Sequence, residues 1–82
     1  MKAKKVLARI LSNPVNVRFG DVQRLAEAFG FRLLRVNGSH HIYGRPDLSE
    51  QLNLQEVGGE AKPYQIRQFL KIIERYNLKI KE

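Results

Sequence analysis

The sequence predicts an α+β domain in which helices cover one face of a three-stranded antiparallel sheet. Three observations carry this. Apolar residues recur at helical spacing in three separate stretches, each with a single stripe to bury. Between the second and third stretches lies an Asn-Gly dipeptide flanked by branched, aromatic and other apolar residues, the strongest short-range signal for a hairpin. Beyond it, Leu52-Asn53-Leu54-Gln55 alternates in the two-residue period of a half-buried strand. Stripes on helices and an apolar side on a sheet satisfy one another as two layers.

Size and charge set the frame. The 82 residues fit one domain over 1–82, divided into an N-terminal helical extension over 1–14 and a core over 15–78. With no cysteine, the chain has no disulfide framework, no Cys-based zinc site and no thiol nucleophile, and a reducing cytoplasm suits it. Met1-Lys2-Ala3-Lys4-Lys5 begins like the basic start of a signal peptide, but Val6 to Leu11 is too short an apolar run and Arg9 interrupts it, so export and membrane spanning are not expected. Fifteen Lys and Arg against eight Asp and Glu give a net charge of +7, which favours polyanionic partners.

Lys5 to Ser12 reads as a short amphipathic helix with Val6, Leu7, Ile10 and Leu11 on one side and Arg9 opposite. Asn13-Pro14 ends it, and Val15 to Arg18 is an extended linker. A second helix starts near Gly20 or Asp21, carries the stripe Val22, Leu25, Ala26 and Phe29, and stops at Gly30. The hairpin strands follow, Phe31 to Val36 and Ser39 to Arg45. Gly44-Arg45-Pro46-Asp47 closes the second of them, Leu48 to Gln51 is a loop, and Leu52 to Gln55 is the third strand. Gly58-Gly59-Glu60 is a flexible, solvated break. The last helix opens at Lys62-Pro63, with proline at a first-turn position, and buries Ile66, Phe69, Leu70 and Ile73 while Gln65, Arg67, Gln68, Lys71, Glu74 and Arg75 face water. Asn77 ends it, and Leu78 to Glu82 is a loosely ordered charged tail.

A two-residue loop at Asn37-Gly38 sets Arg35 opposite His40 and Leu34 opposite His41. Alternation then puts Phe31, Leu33, Arg35, His40 and Ile42 on one face, taken as the core face with Arg35 and His40 at its rim. Arg32, Leu34, Val36, Ser39, His41 and Tyr43 share the more open one. Without the first helix the element order is αβββα, that of the double-stranded-RNA-binding (dsRBD) fold.

Three stretches resemble the HicA (YcfA-like) toxin family of bacterial toxin–antitoxin systems: Leu25-Ala26-Glu27-Ala28-Phe29-Gly30-Phe31, Gly38-Ser39-His40-His41-Ile42-Tyr43 and Lys62-Pro63-Tyr64-Gln65-Ile66-Arg67. The resemblance covers about residues 17 to 78, and the Gly-Ser-His-His hairpin is its most specific part. It implies a small dsRBD-like endoribonuclease, an mRNA interferase, that is held inactive by a HicB-type antitoxin and depends on a histidine in the second strand. The chain departs from the pattern at Leu52 to Val57, where many members carry a Pro-His segment, and in its additional N-terminal helix.

The chemistry can be reasoned from the residues. RNA is cut when its own 2′-hydroxyl attacks the neighbouring phosphate, which requires a group to take the proton and a positive environment for the phosphate. Imidazole, ordinarily titrating near neutrality, suits the first role without metal or cofactor. Adjacent His40 and His41 point to opposite faces of a strand and do not jointly hold an ion. The family motif points to His40 as the catalytic residue, with His41 as the alternative. Arg35, Ser39, Lys62 and Arg67 are the candidate RNA contacts, Lys62 lying where a helix N-terminus presents free amides to an anion. Lys62, Tyr43 and Arg35 are candidates for a second catalytic group. Tyr43 and Tyr64 either stack on bases or pack at the core edge. A non-catalytic RNA-binding module of the same fold is the alternative function, and a basic face for an acidic antitoxin is compatible with either.

Overall fold

The single apolar stripe on each helix finds its partner in one antiparallel sheet. In a computed structural model that describes residues 3–81, the elements run α1 (Ala3–Ser12), α2 (Phe19–Ala28), β1 (Arg32–Asn37), β2 (His40–Gly44), β3 (Leu52–Val57), β4 (Glu60–Ala61) and α3 (Pro63–Arg75). The strands pair antiparallel in the order in which they occur, β1-β2-β3-β4. This is the expected α+β architecture, a dsRBD-like αβββα frame preceded by an extra helix, with a fourth strand added.

The fourth strand corrects the expectation of a flexible break. Gly58 and Gly59 both take positive φ, +60° and +80°, the backbone that a type I′ hairpin turn demands at its two central positions. Glu60 and Ala61 therefore return along Val57 and Glu56. On its other side this short strand meets the segment expected to be a free linker. Arg18 bridges to Glu60, the Phe19 N–H donates to the Gly59 carbonyl at 2.9 Å, and the Ala61 N–H donates to the Val17 carbonyl at 3.0 Å. The linker is also held from α1, whose Arg9 guanidinium donates to the carbonyls of Asn13 and Val15.

Helix ends follow the sequence signals closely. Gly30 has φ +90°, and the Gly30 and Phe31 amides donate back to Glu27 and Ala26 at 2.9 and 3.0 Å, the paired bonds of a Schellman stop. Asn77, at φ +52°, does the same for α3, with Asn77 and Leu78 donating to Glu74 and Ile73.

The core lies between the helices and one face of the sheet. Val22, Leu25, Ala26 and Phe29 of α2 and Ile66, Phe69 and Ile72 of α3 pack with Tyr43, Leu52 and Leu54 from the sheet, and Val6 and Ile10 of α1 join them. The Phe69 ring meets those of Phe29 and Phe31 edge-on, at 5.9 Å in each case, the arrangement the aromatic quadrupole favours. Two details of α3 differ from expectation. Ile72 is fully within the core while Ile73 is only partly buried, and Gln65, expected to face water, is 3 % exposed. The C-terminal segment is also better ordered than a loose tail. Leu78 and Ile80 pack against the core, and the Lys81 N–H donates to the Ala28 carbonyl at 2.7 Å. Glu82, like Met1 and Lys2, lies outside the described residues.

Candidate functional site

The hairpin turns one residue later than its Asn-Gly pair suggests. Asn37 pairs with His40, Val36 with His41 and Arg35 with Ile42, so the loop residues are Gly38 and Ser39. Gly38 has φ +62°, whereas neither Asn37 nor Ser39 is in the positive region. One positive φ, at the first loop position, defines a type II′ turn, for which glycine is the required residue. Relative to the expected pairing, partners move by two positions, so Arg35 faces Ile42 rather than His40. Shared faces survive a shift of two. Nearer the base of the hairpin the register slips again between Leu33 and Arg35, where Leu34 forms a bulge, and Leu33 pairs with Tyr43.

The choice of core face is the opposite of the expected one, and β3 is the reason. His41 pairs with Leu54 and Tyr43 with Leu52, and directly opposed residues share a face. Since Leu52 and Leu54 are both buried in the core, His41 and Tyr43 point toward the helices. His40 and Ile42 therefore lie on the uncovered face with Gln55 and Asn53. Neither His40 at a core rim nor His41 on an open face is what the chain adopts.

The two histidines have correspondingly different surroundings. The His41 ring stands edge-on to Phe19, the first residue of α2, with centroids 4.7 Å apart. Its Nδ1 donates to the Ser39 carbonyl at 3.2 Å, so it ties the hairpin turn to the helix layer. The His40 ring has Nδ1 3.2 Å from Oδ1 of Asn53, across on β3. Tyr43 is 1 % exposed, and its hydroxyl accepts a bond from Nε2 of Gln23 at 3.0 Å. Burial pushes its pKa up, the Glu27 charge adds to that, and the Gln23 bond opposes it. A buried, neutral phenol under the helices neither stacks on a base nor serves as a second catalytic group at this face. Tyr64, by contrast, is exposed.

The candidate phosphate ligands divide into two groups. Arg35 and Ser39 belong to the same hairpin as His40, and alternation places Arg35 on the uncovered face with it. Lys62 is the N-cap residue of α3, without a side-chain cap bond, and this end of the helix is joined to the later part of β3, because the buried Gln65 side chain accepts the Gln55 backbone N–H through Oε1 at 2.5 Å. Gln55 in turn pairs with His40. Arg67 is exposed; two positions beyond buried Gln65, it lies round the helix from that contact.

Asn53 and Gln65 are the residues that sequence reasoning did not single out. Asn53 occupies a polar slot in the alternation of β3, and only the β2–β3 register shows that it meets His40. Gln65 follows Pro63 in the first turn of α3, and its burial depends on where the edge of β3 stops being covered by the two-residue β4. Among the described residues no cluster of three or more His, Cys, Asp or Glu side chains could hold a metal ion, and no helix is long and apolar enough to cross a membrane.

Comparison with known families adds one finding. A family model described as HicA toxin of bacterial toxin-antitoxin matches residues 19–74, more than half of the chain and the whole span from the first residue of α2 into the last turn of α3. Helix α1 precedes the match. No curated protein and no solved structure matches the chain.

Proposed function

Since the chain belongs to the HicA toxin family, and so to bacterial toxin–antitoxin systems with an antitoxin as partner, we propose that it is an endoribonuclease of the mRNA-interferase kind, working through His40. The observation that carries this is the position of His40 on the uncovered sheet face, with Arg35 on the same face and the Gly38-Ser39 turn beside it. An RNA strand laid over this face brings a 2′-hydroxyl to the imidazole. His40 takes that proton, the 2′-oxygen forms a bond to the adjacent phosphorus, and the bond from phosphorus to the 5′-oxygen of the next nucleotide breaks. The products are a 2′,3′-cyclic phosphate and a 5′-hydroxyl that takes its proton from water. Arg35, and Lys62 with the free amides at the start of α3, hold the phosphates and offset the charge that develops there. No cofactor enters these steps. His41, packed on Phe19, supports the hairpin from the other side.

A HicB-type antitoxin is the partner we assign. The net charge of +7 favours an acidic inhibitor whose association is fast and weakens with salt.

The test is cleavage of mRNA by the purified chain in EDTA, alongside His40→Ala and His40→Gln proteins whose circular dichroism matches the parent. Cleavage that ends in a cyclic phosphate and is lost in both variants is the expected result. Equal cleavage by all three proteins overturns the assignment, and RNA binding by all three without cleavage replaces it with a non-catalytic RNA-binding module.

A further inference from the structure

We infer that Asn53 is the positioning residue that fixes which nitrogen of His40 is the base. This rests on the assignment of His40 as proton acceptor and specifies the atom that acts.

A neutral imidazole has one N–H and one lone pair, and which nitrogen carries which is decided by the partners on either side. His40 Nδ1 lies 3.2 Å from Oδ1 of Asn53. With the Asn53 amide turned so that its oxygen, which only accepts, faces the ring, Nδ1 carries the hydrogen and the lone pair is on Nε2, the far side of the ring. Backbone pairing holds the two side chains in place for this. Ile42 pairs with Asn53 and Gln55 with His40, so Asn53 is the diagonal neighbour of His40 on the uncovered face, within reach for a side chain of its length. Strand pairing, rather than a flexible loop, thus orients the ring. Both strands are fixed behind that face, Tyr43 and Leu52 being 1 % exposed and Leu54 fully buried.

The rest of the face offers no competing charge for Nδ1 from β3, which contributes Asn53, Gln55 and Val57 by alternation, or from β2, which contributes Ile42. From β1 it receives Arg35 and Asn37. A guanidinium only donates, so Arg35 cannot accept the Nδ1 hydrogen, and of the amide side chains on this face, Asn37, Gln55 and Asn53, it is Asn53 whose Oδ1 stands against Nδ1. His41 differs in what surrounds its ring. That ring also donates from Nδ1, to the Ser39 carbonyl, but its ring lies against Phe19. On His40 the same tautomer leaves Nε2 to the uncovered side. An imidazole with the opposite tautomer would present an N–H to the 2′-hydroxyl and take no proton from it.

The experiment is two-dimensional proton–nitrogen NMR of the side-chain imidazoles, in the parent and in Asn53→Ala and Asn53→Asp proteins, together with the pH dependence of RNA cleavage. In the parent, the neutral His40 ring is expected to show a protonated Nδ1 and an unprotonated Nε2. Asn53→Ala should release it to the Nε2–H form that free imidazole prefers, leave His41 unchanged, and slow cleavage at least tenfold. Asn53→Asp retains an acceptor and should restore the Nδ1–H form. Its carboxylate favours the imidazolium, so the acid side of the cleavage profile moves to higher pH by about one unit, a tenfold change in proton affinity. A His40 tautomer indifferent to Asn53→Ala overturns the inference, whatever the cleavage data. If the tautomer follows Asn53 while His40→Ala still cuts RNA, the positioning contact stands and the assigned reaction falls.

Discussion

His40 and His41 are neighbours in the chain and occupy opposite sides of the sheet, the first 3.2 Å from the Asn53 amide on the uncovered face and the second edge-on to Phe19 at 4.7 Å under the helices. Their substitutions should therefore fail in different ways. His40→Ala is expected to lower melting temperature by no more than about 3 °C, since it removes one partly exposed hydrogen bond, while abolishing cleavage. His41→Ala removes an aromatic contact and the turn bond together, and should cost about 1–3 kcal/mol. Thermal melts and RNA cleavage measured on the same two preparations separate the roles.

Gln65 is the polar residue that closes the edge of β3. It is 3 % exposed, and its Oε1 takes the Gln55 N–H. Gln65→Ala leaves that amide without its acceptor, at a cost of about 1–3 kcal/mol. Hydrogen exchange should show the Gln55 amide losing protection more than the amides of β2.

Tyr43 links α2 to β2 through Gln23. Tyr43→Phe keeps the ring and deletes the hydroxyl, which should destabilise by about 1 kcal/mol and lower the melting temperature by about 4–8 °C in a chain of this size. The variant also tests the sign of a pH effect. Desolvation, the largest influence, raises the pKa of Tyr43 in the folded state, so the folded chain holds its proton where the unfolded chain has begun to lose it. That contribution to stability is complete below the ordinary tyrosine value of about 10 and disappears as pH rises through the folded value. Denaturation curves from neutral pH into the alkaline range should fall more steeply for the parent than for Tyr43→Phe.

The loop before β3 is tied to the end of α3 by Glu50, which accepts from Arg75 at 2.7 and 2.9 Å and from the Tyr76 hydroxyl at 3.0 Å. Arg75 first, and Tyr76 after it, hold the Glu50 carboxyl below the usual glutamate value. A depressed carboxylate stabilises the fold above its unfolded pKa and ceases to do so as pH falls through the folded one. Glu50→Gln should thus be less stable than the parent at neutral pH, with the gap closing as acid takes the pH below about 4.3. Because the pair is solvent-exposed, added salt should narrow the gap at neutral pH as well.

Gly30 carries a conformational requirement, and the nearest side-chain atoms are the movable end of Lys81. Its φ is +90°, and a Cβ there would stand 3.1 Å from Cε of Lys81. Gly30→Ala is expected to cost about 1–2 kcal/mol from the backbone alone. Chemical denaturation of the variant, with the midpoint compared at unchanged slope, measures it.

Helix ends and the alternation of β3 follow from local signals. Gly30 and Asn77 end their helices in the left-handed region as their residue types suggest, Pro63 opens α3, and Leu52 and Leu54 alternate into the core. Apart from the hairpin turn itself, where the sequence and the fold differ, a partner distant in the chain is involved. Which face of β2 is buried cannot be read from β1 and β2 alone, because Tyr43 and Ile42 are each plausible inward residues; pairing with Leu52 and Leu54 decides it. Asn37-Gly38 satisfied one turn type, and Gly38-Ser39 satisfied another equally well with the same glycine. The Gly58-Gly59 pair reads as a flexible break because glycine permits disorder as readily as a tight turn, and β4 has a neighbour on its second side only through Arg18 and Val17, some forty residues upstream. Arg35 could be put on the same face as His40 because a hairpin is local, although its partner across the strands is Ile42 and not His40. Asn53 could not, since its approach to His40 depends on a strand that follows an intervening loop.

The order of the strands bears on how the chain reaches this state. Every pairing in β1-β2-β3-β4 joins sequence neighbours, so the sheet closes through short loops of low entropic cost. Refolding on the order of milliseconds is expected for such a mixed topology. Two closures stand apart, Arg18 onto Glu60 and Lys81 onto Ala28, each joining segments far apart in the chain. If these form after the rate-limiting barrier, substitutions that loosen them hasten unfolding and leave the folding limb of a stopped-flow chevron where it was. The lifetime of the folded toxin would then be set at the periphery of the sheet, where the segment before α2 and the C-terminal segment are fastened, rather than by the strand pairings themselves.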